Sequence, residues 1–252
     1  MRKTKILGVI PARYASKRLP GKVLLDICGK PMIQHVYERA LKARSLFALI
    51  VATDDARVFE AVRAFGGEVV MTSPDHPNGT ARAAEAAERF GEPVDAVINV
   101  QGDEPLLDPL MLDELAAALF SGPDVVCATL CHPLSDERRM GDPNQVKVVL
   151  DRNGDALYFS RSLIPYPRCT PSVPVYGHIG LYGYDRDFLA LSTTLPSTPL
   201  AEAESLEQLK ILEHGYKIRT VVTSRPLPGK GVDTQEDLEA ARRFFAGEGR
   251  TS

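Results

Sequence analysis

Four basic residues follow the first predicted strand of this chain closely enough to act together. The apolar run Ile6–Ile10 ends at Pro11, as a buried strand would, and the loop after it carries Arg13, Lys17, Arg18 and Lys22. Glycine and proline punctuate the loop, and no carboxylate occurs before Asp26. Basic loops after the first strand of an α/β protein hold polyphosphates. The loop predicts a polyphosphate site, although a solvated loop rich in lysine and arginine would look the same.

Two aspartates that are far apart in the sequence could complete such a site. Asp103 follows the predicted buried strand 96–100 and Gly102, and Asp233 ends a late strand segment. Aspartates in such positions bind Mg²⁺ that bridges the phosphates of a nucleotide. Two carboxylates and a basic loop suit nucleotidyl transfer, in which cations hold the β- and γ-phosphates as they leave. Alternatively, Asp233 caps the helix that follows it.

Further polar segments are predicted at the same edge of the sheet. Asn78-Gly79-Thr80, at the start of a helix, can offer backbone N–H groups and a hydroxyl to a base or a phosphate, or it is a plain helix cap. Thr53-Asp54-Asp55 and Gln101 each follow a predicted strand. The chain contains no Walker, GxGxxG or GxSxG motif, which argues against P-loop ATPases, NAD enzymes and serine hydrolases.

The elements that would position these residues alternate between strand and helix in the first half of the chain. Apolar runs predict strands at 6–10, 47–52, 68–71, 96–100 and 125–130, and the helices between them begin near Pro31, Asp55, Thr80 and Pro109. This alternation indicates an α/β fold with a mostly parallel sheet flanked by helices. Such a Rossmann-like, nucleotide-binding sheet holds its ligands outside the carboxyl ends of its strands.

The second half is less regular and is expected to add strands and a substrate lobe. Asn153-Gly154 predicts a hairpin turn between strands at 146–150 and 157–160. The other predicted elements are a surface excursion at 165–174, a strand at 175–184, a helix at 200–214, a strand at 217–222 and a helix that opens at 232–234. Residues 247–252 are expected to form a disordered tail.

Composition and charge exclude several classes of protein. The 252 residues are 44% hydrophobic and 25% charged with a net charge of −3, which is ordinary for a globular protein and does not favour nucleic acid as a partner. No apolar run is long enough to span a membrane and no secretory signal is present, so we expect a cytoplasmic location. The four cysteines lack zinc-site spacing, so Cys127 and Cys131 are expected to be buried thiols on a strand.

Segments in the order of a known enzyme family run through almost the whole chain, from Ile10 to about Leu238. They are IPARYASKRLPGK (10–22), GKPMIQHV (29–36), VATDD (51–55), NGTAR (78–82), NVQGDEP (99–105), VKVV (146–149), ALYFSR (156–161), HIGLYGY (178–184), LEQLK (206–210) and GVDTQEDL (231–238). On these segments the chain resembles the 3-deoxy-manno-octulosonate cytidylyltransferase (CMP-Kdo synthetase) family. Each segment alone is modest evidence, whereas all of them in the family's order are highly specific.

The resemblance implies an enzyme that couples CTP to the acidic sugar 3-deoxy-D-manno-octulosonate (Kdo), giving CMP-Kdo and pyrophosphate for lipopolysaccharide biosynthesis. It also implies a requirement for Mg²⁺, a homodimer and a fold like that of nucleotide-diphospho-sugar transferases. We therefore expect one nucleotidyltransferase domain over residues 1–246, with a smaller substrate and dimerisation lobe inserted at about 131–200. No membrane insertion is expected.

The resemblance further assigns roles to the residues that match the family's motifs. The catalytic residues would be Arg13, Lys22, Asp103 and Asp233, of which the two aspartates would be the magnesium ligands. The nucleotide would be bound by Arg13, Arg18, Lys22, Asn78, Gly79, Thr80, Arg82 and Gln101. The sugar would be bound by Arg161, which would pair with the Kdo carboxylate, and by His178, Tyr182, Glu207 and Gln208.

Departures from the family's pattern leave the sugar specificity open, and one of them is a Pro-rich stretch before Tyr176 that is shorter than in many members. Ala81 stands where many members have glutamate, and Gly177 stands where the residue before the pocket histidine is often arginine. One alternative is CMP transfer to another acidic sugar, such as amino-Kdo or a sialic acid. An alternative from another class is a non-catalytic nucleotide-binding regulator, which would have no reason to need both Asp103 and Asp233 or to carry Arg161.

Overall fold

The computed structural model describes residues 4–16, 18–168, 173–225 and 231–248, and the chain divides into two units. Unit 1 comprises Met1–Asp113 and Arg225–Ser252, and unit 2 is Glu114–Ser224. Several residues considered above lie outside the described part of the chain: Lys17, Cys169, residues 170–172 of the predicted excursion and residues 249–252 of the predicted tail.

Unit 1 contains the parallel sheet that the apolar runs predict. Strand β1 (Ile6–Pro11) pairs in parallel with β4 (Leu46–Thr53) on one side and with β6 (Ala96–Asn99) on the other, and β4 pairs in parallel with β5 (Val69–Met71). Residues 6–10 of β1 are all buried, as expected for a strand between two parallel neighbours. The predicted strands of this unit are confirmed to within about two residues at each end.

Helices connect and flank these strands, which confirms the α/β class. Helices α1 (Met32–Ala40), α2 (Ala56–Ala64) and α3 (Gly79–Arg89) belong to unit 1, and all three pack against β4. The unit also contains a short 3₁₀ helix (Lys22–Leu24), an antiparallel ribbon of β2 (Asp26–Ile27) and β3 (Lys30–Pro31), and α9 (Gln235–Glu248). Because α9 continues to Glu248, the expectation that a disordered tail begins at residue 247 is wrong for residues 247 and 248. Helix α4 (Pro109–Leu119) begins in unit 1 and ends in unit 2.

Unit 2 is built on a mixed sheet. Strand β7 (Cys127–Leu134) pairs in parallel with β11 (Arg219–Val222) and antiparallel with the long strand β10 (Val175–Asp185). Strand β10 also pairs with β8 (Lys147–Leu150), which forms the predicted antiparallel hairpin with β9 (Ala156–Ser160). Gly154 in the hairpin loop has φ +82°, a left-handed conformation that favours glycine.

The helices of unit 2 were only partly predictable. The expectation of one helix over 200–214 is wrong, because α7 (Pro199–Glu204) and α8 (Glu207–Glu213) are separated by Ser205, whose backbone is left-handed with φ +49°. A non-glycine residue in that conformation gives no warning in the sequence. Helices α5 (Glu137–Gly141) and α6 (Arg186–Thr194) were not predicted.

The expected thiol environment of β7 is confirmed. Cys127 and Cys131 are buried and unbridged, and burial raises the pKa of the Cys131 thiol to about 12. Both thiols therefore stay protonated and pack as small apolar side chains. Across the described ranges, no helix combines the length and the apolar character needed to cross a membrane.

The carboxyl ends of β1 and β6 approach each other so closely that only glycine fits in the segment after β6. A Cβ on Gly102 would lie 2.8 Å from the carbonyl oxygen of Pro11, a backbone atom. The Val100 N–H donates to the Val9 carbonyl at 2.8 Å and holds the two strand ends together. The close approach brings the loop after β1 beside Asp103.

We expect Gly102→Ala to lower the free energy of unfolding by about 1–3 kcal/mol, because an added methyl forces this backbone contact apart. Urea denaturation of the full chain measures the change. Gly247→Ala in α9 is the matched control, because no atom of the described residues outside α9 lies within 4 Å of the added Cβ there and alanine favours the helix. Equal stabilities of Gly102→Ala and the parent protein would contradict the close-approach argument.

Candidate active site

The basic loop after β1 is folded back on itself by a glycine and an aromatic ring. The Gly21 N–H donates to the Tyr14 carbonyl at 2.9 Å, and Gly21 has φ +67°, where glycine is favoured. A Cβ at this position would also lie 3.0 Å from the Tyr14 ring. The Arg57 guanidinium lies 3.3 Å from the centroid of that ring and stabilises it by a cation–π contact. These contacts fix the end of the loop, from which Lys22 projects.

The Lys22 ammonium lies between the two predicted metal ligands. Its Nζ is 2.5 Å from Asp103 Oδ2 and 2.9 Å from Asp233 Oδ1, and it also donates to the Val232 carbonyl at 3.1 Å. The lysine side chain is only 13% exposed. Burial alone would lower the pKa of Lys22, but the charges and hydrogen bonds of Asp103 and Asp233 outweigh it and raise the pKa. Lys22 is therefore a permanent cation.

Asp233 reaches this cluster because another residue caps the helix after it. The Val232 N–H donates to the Asp103 carbonyl at 2.8 Å, which ties the two distant segments together. The Asp237 carboxylate accepts the Thr234 N–H at 2.9 Å, and the Asp237 N–H donates to the Thr234 hydroxyl at 3.2 Å. This is a capping box at the start of α9, so the alternative that Asp233 serves as the cap is wrong. Its carboxylate faces Lys22 and, at 2.8 Å, Arg18.

The Asp103 and Asp233 carboxylates suit a magnesium ion. Their oxygens converge on one cation, the Lys22 ammonium, which marks a point that a divalent cation could take. Among the described residues no group of three or more His, Cys, Asp or Glu side chains could hold a metal. Mg²⁺ needs no more than one or two carboxylates when water and phosphate oxygens complete its shell. Glu104 is a poor additional ligand, because burial and then the Asp103 charge raise its pKa to about 7.

Arg13 and Arg82 are both anchored to the segment that precedes α3. The Arg13 Nη2 donates to the His76 carbonyl in a short hydrogen bond. Arg82 is fully buried, with Nη1 2.5 Å from Thr72 Oγ1 and Nη2 3.0 Å from Asp54 Oδ2. In this position Arg82 holds Thr72 and Asp54, and its predicted contact with a nucleotide stays a prediction.

The other predicted nucleotide residues lie around the start of α3 and the end of β6. Asn78 is the N-cap of α3 and accepts the Ala81 N–H at 2.9 Å, so the helix-cap interpretation of its side chain is confirmed. Gly79 and Thr80 are the first two residues of α3, and half-buried Gln101 follows β6. Contacts of these residues with a nucleotide stay predictions.

In unit 2, His178 and Tyr182 on β10 belong to a row of aromatic rings. The His178 ring lies 5.0 Å from the Phe159 ring and 5.4 Å from the Tyr182 ring, and Tyr182 stacks on Tyr184 at 5.9 Å. Thr129 Oγ1 lies 2.8 Å from the Leu181 carbonyl and 3.2 Å from the Ile179 carbonyl, so it directs its one proton to a carbonyl. In that arrangement His178 Nε2, 3.0 Å from the same hydroxyl, carries the proton and donates to it. Nδ1 of His178 is left as the acceptor nitrogen.

Steric crowding explains why position 177 is occupied by glycine. A Cβ at Gly177 would lie 2.9 Å from Gln145 Nε2, 2.9 Å from His132 Nε2 and 3.0 Å from Leu134 Cδ2. These three side chains occupy the space that a longer residue would need. The departure from the family's frequent arginine is therefore compensated by the packing of β7 and of the segment before β8.

Arg161, at the end of β9, is fixed by backbone carbonyls of its own unit. Its guanidinium donates to the carbonyls of Glu204 at 2.7 Å, Pro143 at 3.0 Å and Ser205 at 3.2 Å. Because a guanidinium has five N–H donors, one on each terminal nitrogen remains for another acceptor. Glu207 is the first residue of α8, which follows Ser205, and Gln208 beside it is buried.

Sequence reasoning missed Lys147, a charged residue that supports Arg161. Lys147 is fully buried, and its ammonium donates to the Asp142 carbonyl at 3.0 Å and to the Arg161 carbonyl in a shorter bond. Burial lowers the pKa of Lys147, partly offset by the Asp142 charge. The only signal in the sequence was its place in the VKVV segment, because the partners come from distant residues.

Comparisons with known proteins define the class to which this fold and site belong. The sequence model of the cytidylyltransferase family matches residues 7–218. A 3-deoxy-manno-octulosonate cytidylyltransferase of Solibacter usitatus is 51% identical over 242 residues, covering 96% of this chain and 94% of that relative. The enzyme of the same name from Fusobacterium nucleatum is also 51% identical and covers 96% of this chain and 97% of that relative.

Solved structures of cytidylyl-transferring enzymes also resemble this chain. A CMP:2-keto-3-deoxy-manno-octonic acid synthetase in complex with CTP is 47% identical, with a TM-score of 0.91, over 97% of this chain and 100% of that chain. A 4-diphosphocytidyl-2C-methyl-D-erythritol synthase of Anaerococcus prevotii, 12% identical with a TM-score of 0.62, shares the fold. The chain belongs to the cytidylyltransferase family, and within it to the 3-deoxy-manno-octulosonate cytidylyltransferases.

The environment of His178 predicts how stability depends on pH. Burial lowers the pKa of His178 from 6.5 to about 3, so the unfolded chain binds the proton more readily than the folded one. Stability is therefore lost as pH falls below 6.5, by up to about 2 kcal/mol between pH 7 and pH 5. Urea denaturation at these two pH values should show a smaller loss for His178→Gln. An unchanged loss in the variant would show that His178 is not the responsible group.

Proposed function

We propose that this chain transfers CMP from CTP to Kdo in the cytoplasm, forming CMP-Kdo and releasing pyrophosphate for lipopolysaccharide biosynthesis. The observation that carries the proposal is the convergence of Lys22, Asp103 and Asp233 at the carboxyl ends of parallel strands. Support also comes from the relatives of about 51% identity that bear this activity in their names.

In the proposed reaction, the anomeric hydroxyl of Kdo attacks the α-phosphate of CTP in line. A bond forms between the sugar oxygen and the α-phosphorus, and the hydroxyl proton passes to solvent water. The bond from that phosphorus to the bridging oxygen breaks, and pyrophosphate leaves with the electron pair. Lys22, with its raised pKa, stays protonated and donates to the phosphate oxygens as charge develops on them. Arg13 and Arg18 add positive charge for the triphosphate.

Asp103 and Asp233 would hold the Mg²⁺ on which the activity is proposed to depend. When bound there, the ion would neutralise phosphate charge and acidify the attacking hydroxyl. Lys22 and Arg18 already contact Asp233, so these cations are positioned at the same carboxylate that the ion would use.

Residues of unit 2 are proposed to bind the sugar. Arg161 has donors left for a planar carboxylate, and His178 Nδ1 can accept a hydroxyl proton. The Tyr182 hydroxyl is buried, and a sugar hydroxyl could pair with it. Glu207 and Gln208 at the start of α8 would complete the pocket. The homodimer implied by the family resemblance stays a prediction.

We expect Asp103→Asn and Asp233→Asn each to lower turnover by about 100-fold or more while the chain stays folded, because each removes one proposed ligand of the ion. Pyrophosphate release with saturating CTP, Kdo and Mg²⁺ measures the rate, and circular dichroism checks the fold. Asp26→Asn, which alters an exposed aspartate, is the matched control. A near-normal rate in either site variant would remove that carboxylate from the mechanism.

The sugar is tested by pyrophosphate release with CTP and Mg²⁺ and one of three acceptors: Kdo, a sialic acid or glucose 1-phosphate. We expect release with Kdo alone, because the relatives of about 51% identity are 3-deoxy-manno-octulosonate cytidylyltransferases by name. Arg161 can pair with a sugar carboxylate, which glucose 1-phosphate lacks. Release with the sialic acid instead would support the same class of reaction but would identify a sialic acid, and not Kdo, as the sugar substrate. Tight CTP binding with no release for any acceptor would favour the non-catalytic regulator.

A further inference from the structure

We propose that Glu85 is a positioning residue that aims Arg13 at the β- and γ-phosphates of CTP, acting through the segment Thr72–Asn78. The proposal rests on the proposed function, because Arg13 is assigned there to the triphosphate. Glu85 itself lies on α3 and has no contact with Arg13 in the structure; His76 is the link.

The starting observation is a polar stripe along one face of α3. Asn78, Arg82, Glu85 and Arg89 are spaced by three or four residues, so they share one side of the helix. Arg82 holds Thr72 at the beginning of the segment, and Asn78 caps the helix at its end. Between these two points, the segment is held by Glu85.

The Glu85 carboxylate accepts from three donors, of which Ser73 and His76 belong to the segment and Arg89 lies on α3. The carboxylate accepts the Ser73 N–H at 2.8 Å, the His76 Nε2 in a short bond and the Arg89 Nη2 at 2.6 Å. The Glu85 side chain is 16% exposed and that of His76 is 18% exposed, so the pair is well shielded from water. Burial alone would raise the pKa of Glu85, but the bonds from His76 and Ser73 outweigh it, and the carboxylate is charged at neutral pH.

The held segment in turn fixes Arg13 at its tip. The His76 carbonyl accepts a hydrogen bond from Arg13 Nη2, while the start of the arginine is fixed by Ala12, whose N–H donates to the Ala52 carbonyl at 2.8 Å. The main chain next to Arg13 and the tip of its side chain are therefore anchored before any phosphate binds. An anchored guanidinium loses less conformational freedom on binding and so binds an anion more tightly.

The test compares ligands with and without the outer phosphates. We expect Glu85→Gln to weaken the binding of CTP and of inorganic tripolyphosphate by about ten-fold, measured by calorimetry on the full chain. Binding of CMP, which lacks the β- and γ-phosphates, should not change. Glu88→Gln, an exposed glutamate on the same helix, is the matched control and should change none of the three affinities.

A double-mutant cycle with Arg13→Ala identifies the route. If Glu85 acts through Arg13, Glu85→Gln should cause no further loss of CTP affinity in the Arg13→Ala background. Equal weakening of CTP and CMP, or an additive loss in the double variant, would overturn the proposal. Should Glu85→Gln fail to fold, Glu85→Asp, which keeps the charge but is shorter by one methylene, takes its place with the same expectations.

Failure of this proposal is distinguishable from failure of the proposed function. If Arg13→Ala weakens CTP binding and Glu85→Gln does not, Glu85 is not a positioning residue while the assignment of Arg13 stands. If Arg13→Ala leaves CTP affinity unchanged, the assignment of Arg13 to the triphosphate falls, and the role of Glu85 falls with it.

Discussion

The ion-pair cluster of Lys22 with Asp103 and Asp233 is the constraint on which the architecture of unit 1 depends. It joins the loop after β1, the segment after β6 and the residues before α9, which are far apart in the sequence. Two carboxylates this close would repel each other, and the ammonium between them removes that cost. The apolar cluster that includes Val232, Ile27 and Met32 lies beside the same charges, so packing and electrostatics hold α9 in one place.

In both units, arginine and lysine side chains hold loops by donating to uncharged oxygen atoms as well as to carboxylates. In unit 1, Arg13 is tied to a carbonyl and Arg82 to a hydroxyl as well as to Asp54. In unit 2, Arg161 and Lys147 donate to five backbone carbonyls between them. A carbonyl orients a cation without neutralising it, so these sites keep a positive potential suited to phosphates and carboxylates.

The features that we could predict from the sequence depend on residues that are neighbours in the chain. Apolar runs and turn residues defined the strands of unit 1, and the start of a helix near Asp55 and the possible cap at Asn78 were recognisable. The break between α7 and α8 at Ser205 could not be predicted, because no glycine or proline marks it. In contrast, the spacing of Thr234 and Asp237 is a sequence signal for the cap of α9. Lys22, Asp103 and Asp233 were found from residue type and strand ends. Glu85, His76 and Lys147 were not, because their roles arise from contacts that exist only in the folded chain.

The order of the segments has a consequence for synthesis and turnover of the protein. The two carboxylates that meet at Lys22 lie on opposite sides of unit 2 in the sequence, Asp103 before it and Asp233 after it. A ribosome must therefore finish all of unit 2 before the second carboxylate exists. Premature termination or proteolytic loss of the segment from 225 onward leaves Lys22 with one of its three acceptors, Asp103, so partial chains lack the complete cluster of Lys22 with Asp103 and Asp233. The cluster of Lys22 with Asp103 and Asp233 can therefore form only in a chain that extends through Asp233.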